Sequence, residues 1–205
     1  MKSISALITG ASKGIGLEVA KRFAPMVSEL HLAARGKDGL QKAARLLQRE
    51  GLTIHLHTVD LTTDHGVEAL ATGVKESTPK LDLLVNNAGV FLPGTLVGES
   101  SCNLSYMMNL NVLSHCKLLN KLDGCFQRGG YIFEMSSVAA RKLFLGKPGY
   151  SISKQAQGAM IEALHRTAAA AAAAATTVAV PHHRDGDHDD DTHHAVGTSS
   201  SSRER

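Results

Sequence analysis

Ile4–Thr9 (ISALIT) is a short apolar run that passes directly into a glycine-rich turn, Thr9–Gly16 (TGASKGIG), and then into a segment with helical spacing. A strand, a tight turn and a helix in that order leave few folds open, because the strand is apolar enough to be covered on both faces. Gly10 permits the tight turn, Gly14 lets backbone approach a bound group, and Gly16 lets the helix pack closely on the sheet. The first helical turn then offers unpaired N–H groups and the positive end of the helix dipole, which suits phosphate. A glycine turn without a ligand would use the same residues; the strand–turn–helix setting favours the phosphate site.

The alternation continues. Further strand candidates are Leu30–Ala34, Thr53–Val59, Leu81–Val85, Tyr131–Met135 and Thr177–Val180. Helical segments fall between them at about 15–24, 38–50, 64–76, 100–120 and 150–175. Leu40, Ala43, Ala44 and Leu47 form one apolar helical face. Such alternation predicts an α/β fold: a Rossmann-like, doubly wound parallel sheet of about six strands with helices on both faces. Eight alanines follow Thr167, and after Val180 the chain is rich in His, Asp and Ser. Residues 1–181 are therefore expected to form one domain and residues 182–205 a disordered low-complexity tail.

Composition narrows the function. With 43% hydrophobic residues in 205, one sizeable core is expected, but aromatics are 4% and Trp is absent, so it must be aliphatic. A net charge of +3 without a long Lys/Arg run argues against nucleic acid. No apolar run nears the roughly 18 residues of a membrane helix, and no signal peptide is visible. Cys102, Cys116 and Cys125 lack metal-ligand spacing and read as reduced thiols, which implies a cytoplasmic protein.

Four more landmarks follow the glycine turn in order. They are Asn86–Gly89 (NNAG), Asn111 in LNV, Ser136–Ser137, and Tyr150–Lys154 (YSISK). Ser137 lies 26 residues after Asn111 and 13 before Tyr150. With its G-x-x-x-G-x-G spacing, the set resembles the short-chain dehydrogenase/reductase family in its compact single-domain form. The resemblance covers residues 3 to about 166 and continues weakly to Pro181.

On a helix, residues four apart share a face, so Tyr150 and Lys154 point into one site. A cation beside a phenol favours phenolate and lets a tyrosine exchange a proton near neutral pH. Taken alone, the spacing is equally that of an exposed helical pair. The resemblance implies that Tyr150 is the general acid/base, that Ser137 hydrogen-bonds the substrate oxygen, and that Lys154 also holds the nicotinamide ribose. It further implies that Asn111 positions a water leading from Lys154 to solvent, with Ser136 supporting the turn. The substrate would be a small carbonyl or alcohol.

The cofactor expected is NADP(H) rather than NAD(H). No acid ends the second strand; Arg35 does, with Lys37 nearby and Lys13 in the glycine turn, and such cations suit a 2′-phosphate. Ser12 and Ile15 complete the phosphate turn; Asp60 and Leu61 resemble the adenine contacts; Asn87, Ala88 and Gly89 line the ribose and nicotinamide side. Asp60 could equally cap the helix after it, and Asn86 could hold the neighbouring strand.

No metal site is expected. His55 and His57 share a face of the third strand and read as packed or hydrogen-bonded; His115 has no third ligand. Beyond Pro181 the family's substrate-covering segment and last strand find no match, and the alanine-rich fifth helix offers little side-chain area. A homo-oligomer is implied by the family but weakened by that helix. The alternative to an active oxidoreductase is a truncated, impaired relative that binds only nucleotide or a protein partner.

Overall fold

The computed structural model describes residues 4–94, 101–144, 146–170 and 176–179. Six parallel strands form one sheet: β1 (Ser5–Thr9), β2 (Glu29–Ala34), β3 (Thr53–Thr58), β4 (Leu81–Asn86), β5 (Phe126–Glu134) and β6 (Thr176–Ala179). Their order is β3-β2-β1-β4-β5-β6, so the chain reverses direction of travel between β1 and β4. A crevice opens at that reversal, outside the C-terminal ends of the strands.

Six α-helices cover the sheet: α1 (Gly14–Phe23), α2 (Lys37–Leu47), α3 (Asp64–Ser77), α4 (Ser101–Met108), α5 (Ser114–Lys121) and α6 (Pro148–Ala170). The strands alternate their side chains between two apolar layers. Ala6, Ile8, Leu30 and Leu32 face α1 and α2, where Ala20, Leu40, Ala43 and Leu47 close one core. Leu7, Ala33 and Leu84 face the other side, against Val67, Leu70 and Val74 of α3 and Leu118 of α5. Burying each such leucine contributes about 1.5–3 kcal/mol. Among the described residues β6 is a sheet edge.

The sequence reading and the structure differ most clearly at three places. The helix expected over 100–120 is interrupted by a π-helical turn, Asn109–Leu113, which buries Leu110, Asn111 and Val112 consecutively. Such turns insert an extra residue and often mark functional sites. β5 begins at Phe126, earlier than Tyr131; Gly129, with φ +79°, accompanies a register shift against β4 between Leu81 and Leu83. α2 ends at Leu47 because Gln48 is already extended, with ψ 126°. The expected helix at 171–175, Val180 of the sixth strand, and the tail 182–205 lie outside the described residues. Among the described residues, no helix is long and apolar enough to cross a membrane.

Candidate active site

Gly10 turns the chain at the end of β1 with φ +67°, and a Cβ there would lie 2.8 Å from Asn87 Nδ2. A Cβ on Gly16 would sit 2.4 Å from the Gly10 carbonyl oxygen, so that glycine is required by close approach. The turn is locked to the loop after β4. Thr9 Oγ1 accepts from the N–H groups of Asn87 (3.0 Å) and Ala88 (2.9 Å), and Asn87 Nδ2 donates to Thr9 O at 2.9 Å.

These loops border a cleft of about 730 Å³. Gly10, Ser12, Lys13, Gly14 and Ile15 line its first wall; Gly16 is buried beneath. α1 starts there with no side chain capping its first N–H groups, whereas Thr63 caps α3 by accepting from Gly66 N at 3.0 Å. Open N–H donors at the mouth of α1, beside Lys13, fit the phosphates of a dinucleotide.

Arg35, Asp60 and Leu61 line the next wall. Arg35 Nη1 donates to Tyr106 Oη on α4 at 3.0 Å. Asp60 does not cap α3. Its Oδ1 accepts from Thr62 N (2.9 Å) and Thr62 Oγ1 (2.8 Å), and Thr63 takes the capping position. Burial alone would raise the Asp60 carboxyl; the Thr62 hydrogen bonds and the Arg35 charge outweigh it and hold it below its ordinary value.

At the opposite end the cleft is lined by Asn87, Ala88, Gly89, Ser136, Tyr150 and Lys154. The helical spacing brings Lys154 Nζ to 5.9 Å from the centroid of the Tyr150 ring. Lys154 is only 6% exposed, and its Nζ donates to Met135 O (2.9 Å) and Gln157 Oε1 (2.8 Å). Burial lowers its pKa to about 8, although the Glu134 charge opposes the fall. Phe91 meets Tyr150 edge-on at 5.3 Å, and Lys147 sits over the Phe91 ring at 4.8 Å. The sequence did not single out either residue, because neither belongs to one of the motifs.

Ser137 and Asn111 do not line the cleft directly. Ser137 Oγ accepts from Ala139 N at 3.2 Å, which leaves its O–H able to donate. Asn111, fully buried in the π turn, accepts from Val90 N (2.7 Å) and donates to Val90 O (2.9 Å) and Ser153 Oγ (3.0 Å). Its side chain therefore clamps the loop after β4 onto α6. Asn86 holds β5, as one sequence reading had it: its Nδ2 donates to Glu134 Oε1 at 2.5 Å.

Glu134 is itself a finding. Buried behind the cleft, it also faces His115 Nδ1 (2.8 Å) and Gln157 Nε2 (3.1 Å) through Oε2. A second polar group lies on the same side of the sheet at β2 and β3. His31 Nδ1 is 2.9 Å from His57 Nε2, His31 Nε2 is 2.6 Å from Thr78 Oγ1, and His55 Nε2 is 2.9 Å from Glu29 Oε1. His55 and His57 are thus packed and hydrogen-bonded, as expected, around a residue of β2 that the sequence reading passed over. Potential ligand atoms of Glu29, His31 and His55 lie within 4.8 Å of one another, yet each already has a partner in the protein.

Comparison with known proteins bears on the family and the fold. A family model described as short chain dehydrogenase matches residues 5–183. A sepiapterin reductase from Chlorobaculum tepidum is 34% identical over 167 residues, 77% of this chain and 68% of that protein. A putative ketoacyl reductase from Streptomyces coelicolor is 32% identical over 168 residues, 78% of this chain and 62% of that one. Among solved structures, L-sorbose reductase from Gluconobacter frateurii, complexed with NADPH and L-sorbose, superposes with a TM-score of 0.78 at 31% identity, covering 83% of this chain and 66% of that one. A Burkholderia phymatum short-chain dehydrogenase/reductase in complex with NAD gives 0.80 at 25% identity, covering 86% and 64%.

Proposed function

The chain belongs to the short chain dehydrogenase family, and on that premise we propose an NADP(H)-dependent oxidoreductase moving a hydride between the nicotinamide and a carbonyl or secondary alcohol. One observation carries the reading: Tyr150 and Lys154 line the same cleft as the glycine turn. The cofactor would supply the hydride. Every other step belongs to the protein's own side chains.

Gly10, Ser12, Gly14 and Ile15 and the start of α1 would hold the phosphates, with Gly16 keeping the helix close. Leu61 and Asp60 would flank the adenine, and Asn87, Ala88 and Gly89 the ribose and nicotinamide. Tyr150 donates its phenolic proton to the substrate oxygen in reduction and accepts it in oxidation. Ser137, set just behind the cleft wall with its O–H free of the Ala139 contact, would turn that O–H to the same oxygen and stabilise the charge that develops there. Lys154, charged at neutral pH, favours phenolate on Tyr150 when the proton leaves and anchors the ribose hydroxyls. Asn111 keeps the floor rigid through Val90 and Ser153. The edge-on Phe91 gives the substrate an apolar wall beside the tyrosine.

The preference for NADP(H) rests on charge. Lys13 and Arg35 line the cleft, and no carboxylate ends β2 to receive a ribose 2′-hydroxyl. The free thiols Cys116 and Cys125 accord with a cytoplasmic setting; burial raises the pKa of both. The test is a titration of the intact chain with NADPH and NADH, then a carbonyl panel followed by loss of reduced-nicotinamide absorbance. Arg35→Ala is expected to weaken NADPH by about tenfold, the worth of one exposed charge-assisted contact, and to leave NADH unchanged. Equal affinity of the native chain for the two cofactors would remove the NADP(H) assignment.

A further inference from the structure

Glu134 is 2% exposed and every neighbour turned toward it is a donor. Asn86 Nδ2 reaches Oε1, while Gln157 Nε2 and His115 Nδ1 reach Oε2. The amide orientation of Gln157 is set from its far side, because Gln157 Oε1 accepts from the Lys154 ammonium, which has no acceptor of its own. That leaves the Gln157 NH2 group to face the carboxyl. His115 Nε2 lies 2.8 Å from the carbonyl oxygen of Ala88, which can only accept, so this nitrogen carries a proton. Nδ1 lies 2.8 Å from Glu134 Oε2 and 3.3 Å from Gln157 Nε2, so one proton bridges the His115–Glu134 contact. Asn86 also leaves its Oδ1 without a partner among the described residues while committing its NH2 to Glu134. Three polar neighbours from β4, α5 and α6 therefore converge on the Glu134 carboxyl, and its Oε2 meets both His115 and Gln157.

We propose that Glu134, held by His115 and Asn86 and linked to Lys154 through Gln157, is a positioning residue for proton transfer that keeps the lysine oriented and charged inside the protein. The ionisable groups facing Lys154 are Glu134 from β5, Tyr150 from its own helix and, one hydrogen bond further, His115 from α5. Of these, Glu134 opposes the effect of burial on the lysine. His115 and Gln157 both meet Glu134 Oε2, and Gln157 carries the contact on to the lysine. The carboxylate was not foreseeable from motif spacing, since its three partners come from β4, α5 and α6.

The kinetic arm of the test rests on the oxidoreductase reading; the spectroscopic arm does not. In the full chain with isotope-labelled lysine, the Lys154 side-chain resonance is followed through its titration. Glu134→Gln is expected to move the Lys154 midpoint down by roughly half a pH unit or more, because an anion has been removed. Glu134→Asp, which keeps the charge, is expected to recover part of that shift. The pH profile of kcat/KM should move in the same direction as the Lys154 midpoint, with substrate KM little altered. An unmoved lysine midpoint in a folded Glu134→Gln protein overturns the proposal. If that variant does not fold, the carboxyl carbon of Glu134 in the native chain decides: an ionised carboxylate at neutral pH supports the proposal, and a protonated acid overturns it. A shifted midpoint in a protein that turns over no carbonyl would retain the charge coupling and discard the oxidoreductase reading.

Discussion

Two polar clusters lie on the same face of the sheet, divided by the apolar layer of Leu7, Leu70, Val74 and Leu84. One joins Lys154, Gln157, Glu134 and His115 behind the cleft. The other joins Glu29, His31, His55 and His57 beneath α3, away from the cleft. Both bury basic side chains, and burial disfavours the charged form in both. The outcomes at neutral pH are opposite. Lys154 falls only to about 8 and stays charged, while His31 falls to about 3 and His57 to about 4 and both are neutral. The difference lies in where each group starts and in what faces it. A lysine begins from a much higher value and has Glu134 within its network. His31 has other imidazoles as its close neighbours, stacked on His55 at 4.4 Å and His57 at 5.2 Å. Burial therefore yields a retained cation in one cluster and two neutral rings, His31 and His57, in the other.

The largest effect that could break the comparison is on chemistry. Tyr150→Phe removes the phenolic proton beside Lys154 but keeps the ring against Phe91. Turnover is expected to fall by about 10²–10⁴, the usual worth of a general acid/base, with NADPH binding retained. Retained turnover would mean that the charged cluster does not serve proton transfer and that the two clusters are both merely structural.

The next effect belongs to the histidines. Because the folded chain holds His31 and His57 neutral, the unfolded chain alone takes up protons as pH falls from 6.5. Their contribution is complete above pH 6.5 and is lost as pH drops toward about 4 for His57 and about 3 for His31. Each imidazole should remove up to about 1 kcal/mol per pH unit across its window, a few kcal/mol in total. Denaturant unfolding between those limits measures it, and His57→Gln should reduce the slope by about half. A flat stability curve would show that these rings protonate in the native state, and the contrast would fail.

What was legible in the sequence follows from how local each signal is. The glycine turn, the NNAG loop and the Tyr150–Lys154 pair are short motifs whose geometry is set by one turn or one helix. The alternating apolar runs likewise carried the sheet and its helices. Glu134, His115 and Gln157 were not legible because they meet only once β5, α5 and α6 are packed. His31 was missed for a related reason: the register that sets it opposite His55 belongs to the β2–β3 pairing, and not to either strand alone. The π turn at Asn109–Leu113 has no glycine or proline to announce it, so the long helix read as continuous. Of the two readings of Asp60, capping falls away, since Thr63, three residues on, is the better placed cap.

The smallest predicted effect sharpens the comparison from the alkaline side. The native chain releases the Lys154 proton near pH 8, whereas the unfolded chain keeps it to about 10.5. Between those values the unfolded state binds more protons, so stability from this group rises with pH, by at most about 1 kcal/mol per unit. At neutral pH the buried charge is a burden on the fold. Other groups titrate in the same range, so the measurement is a difference between the native chain and Lys154→Met. The variant leaves Gln157 Oε1 and Met135 O without their donor, a penalty that does not vary with pH. The stability gap between the two proteins should therefore shift in favour of the native chain from about pH 8 to 10.5, which is the lysine's window. A gap that stays constant would mean that Lys154 is solvated like a surface lysine, and the two clusters would then differ in exposure alone.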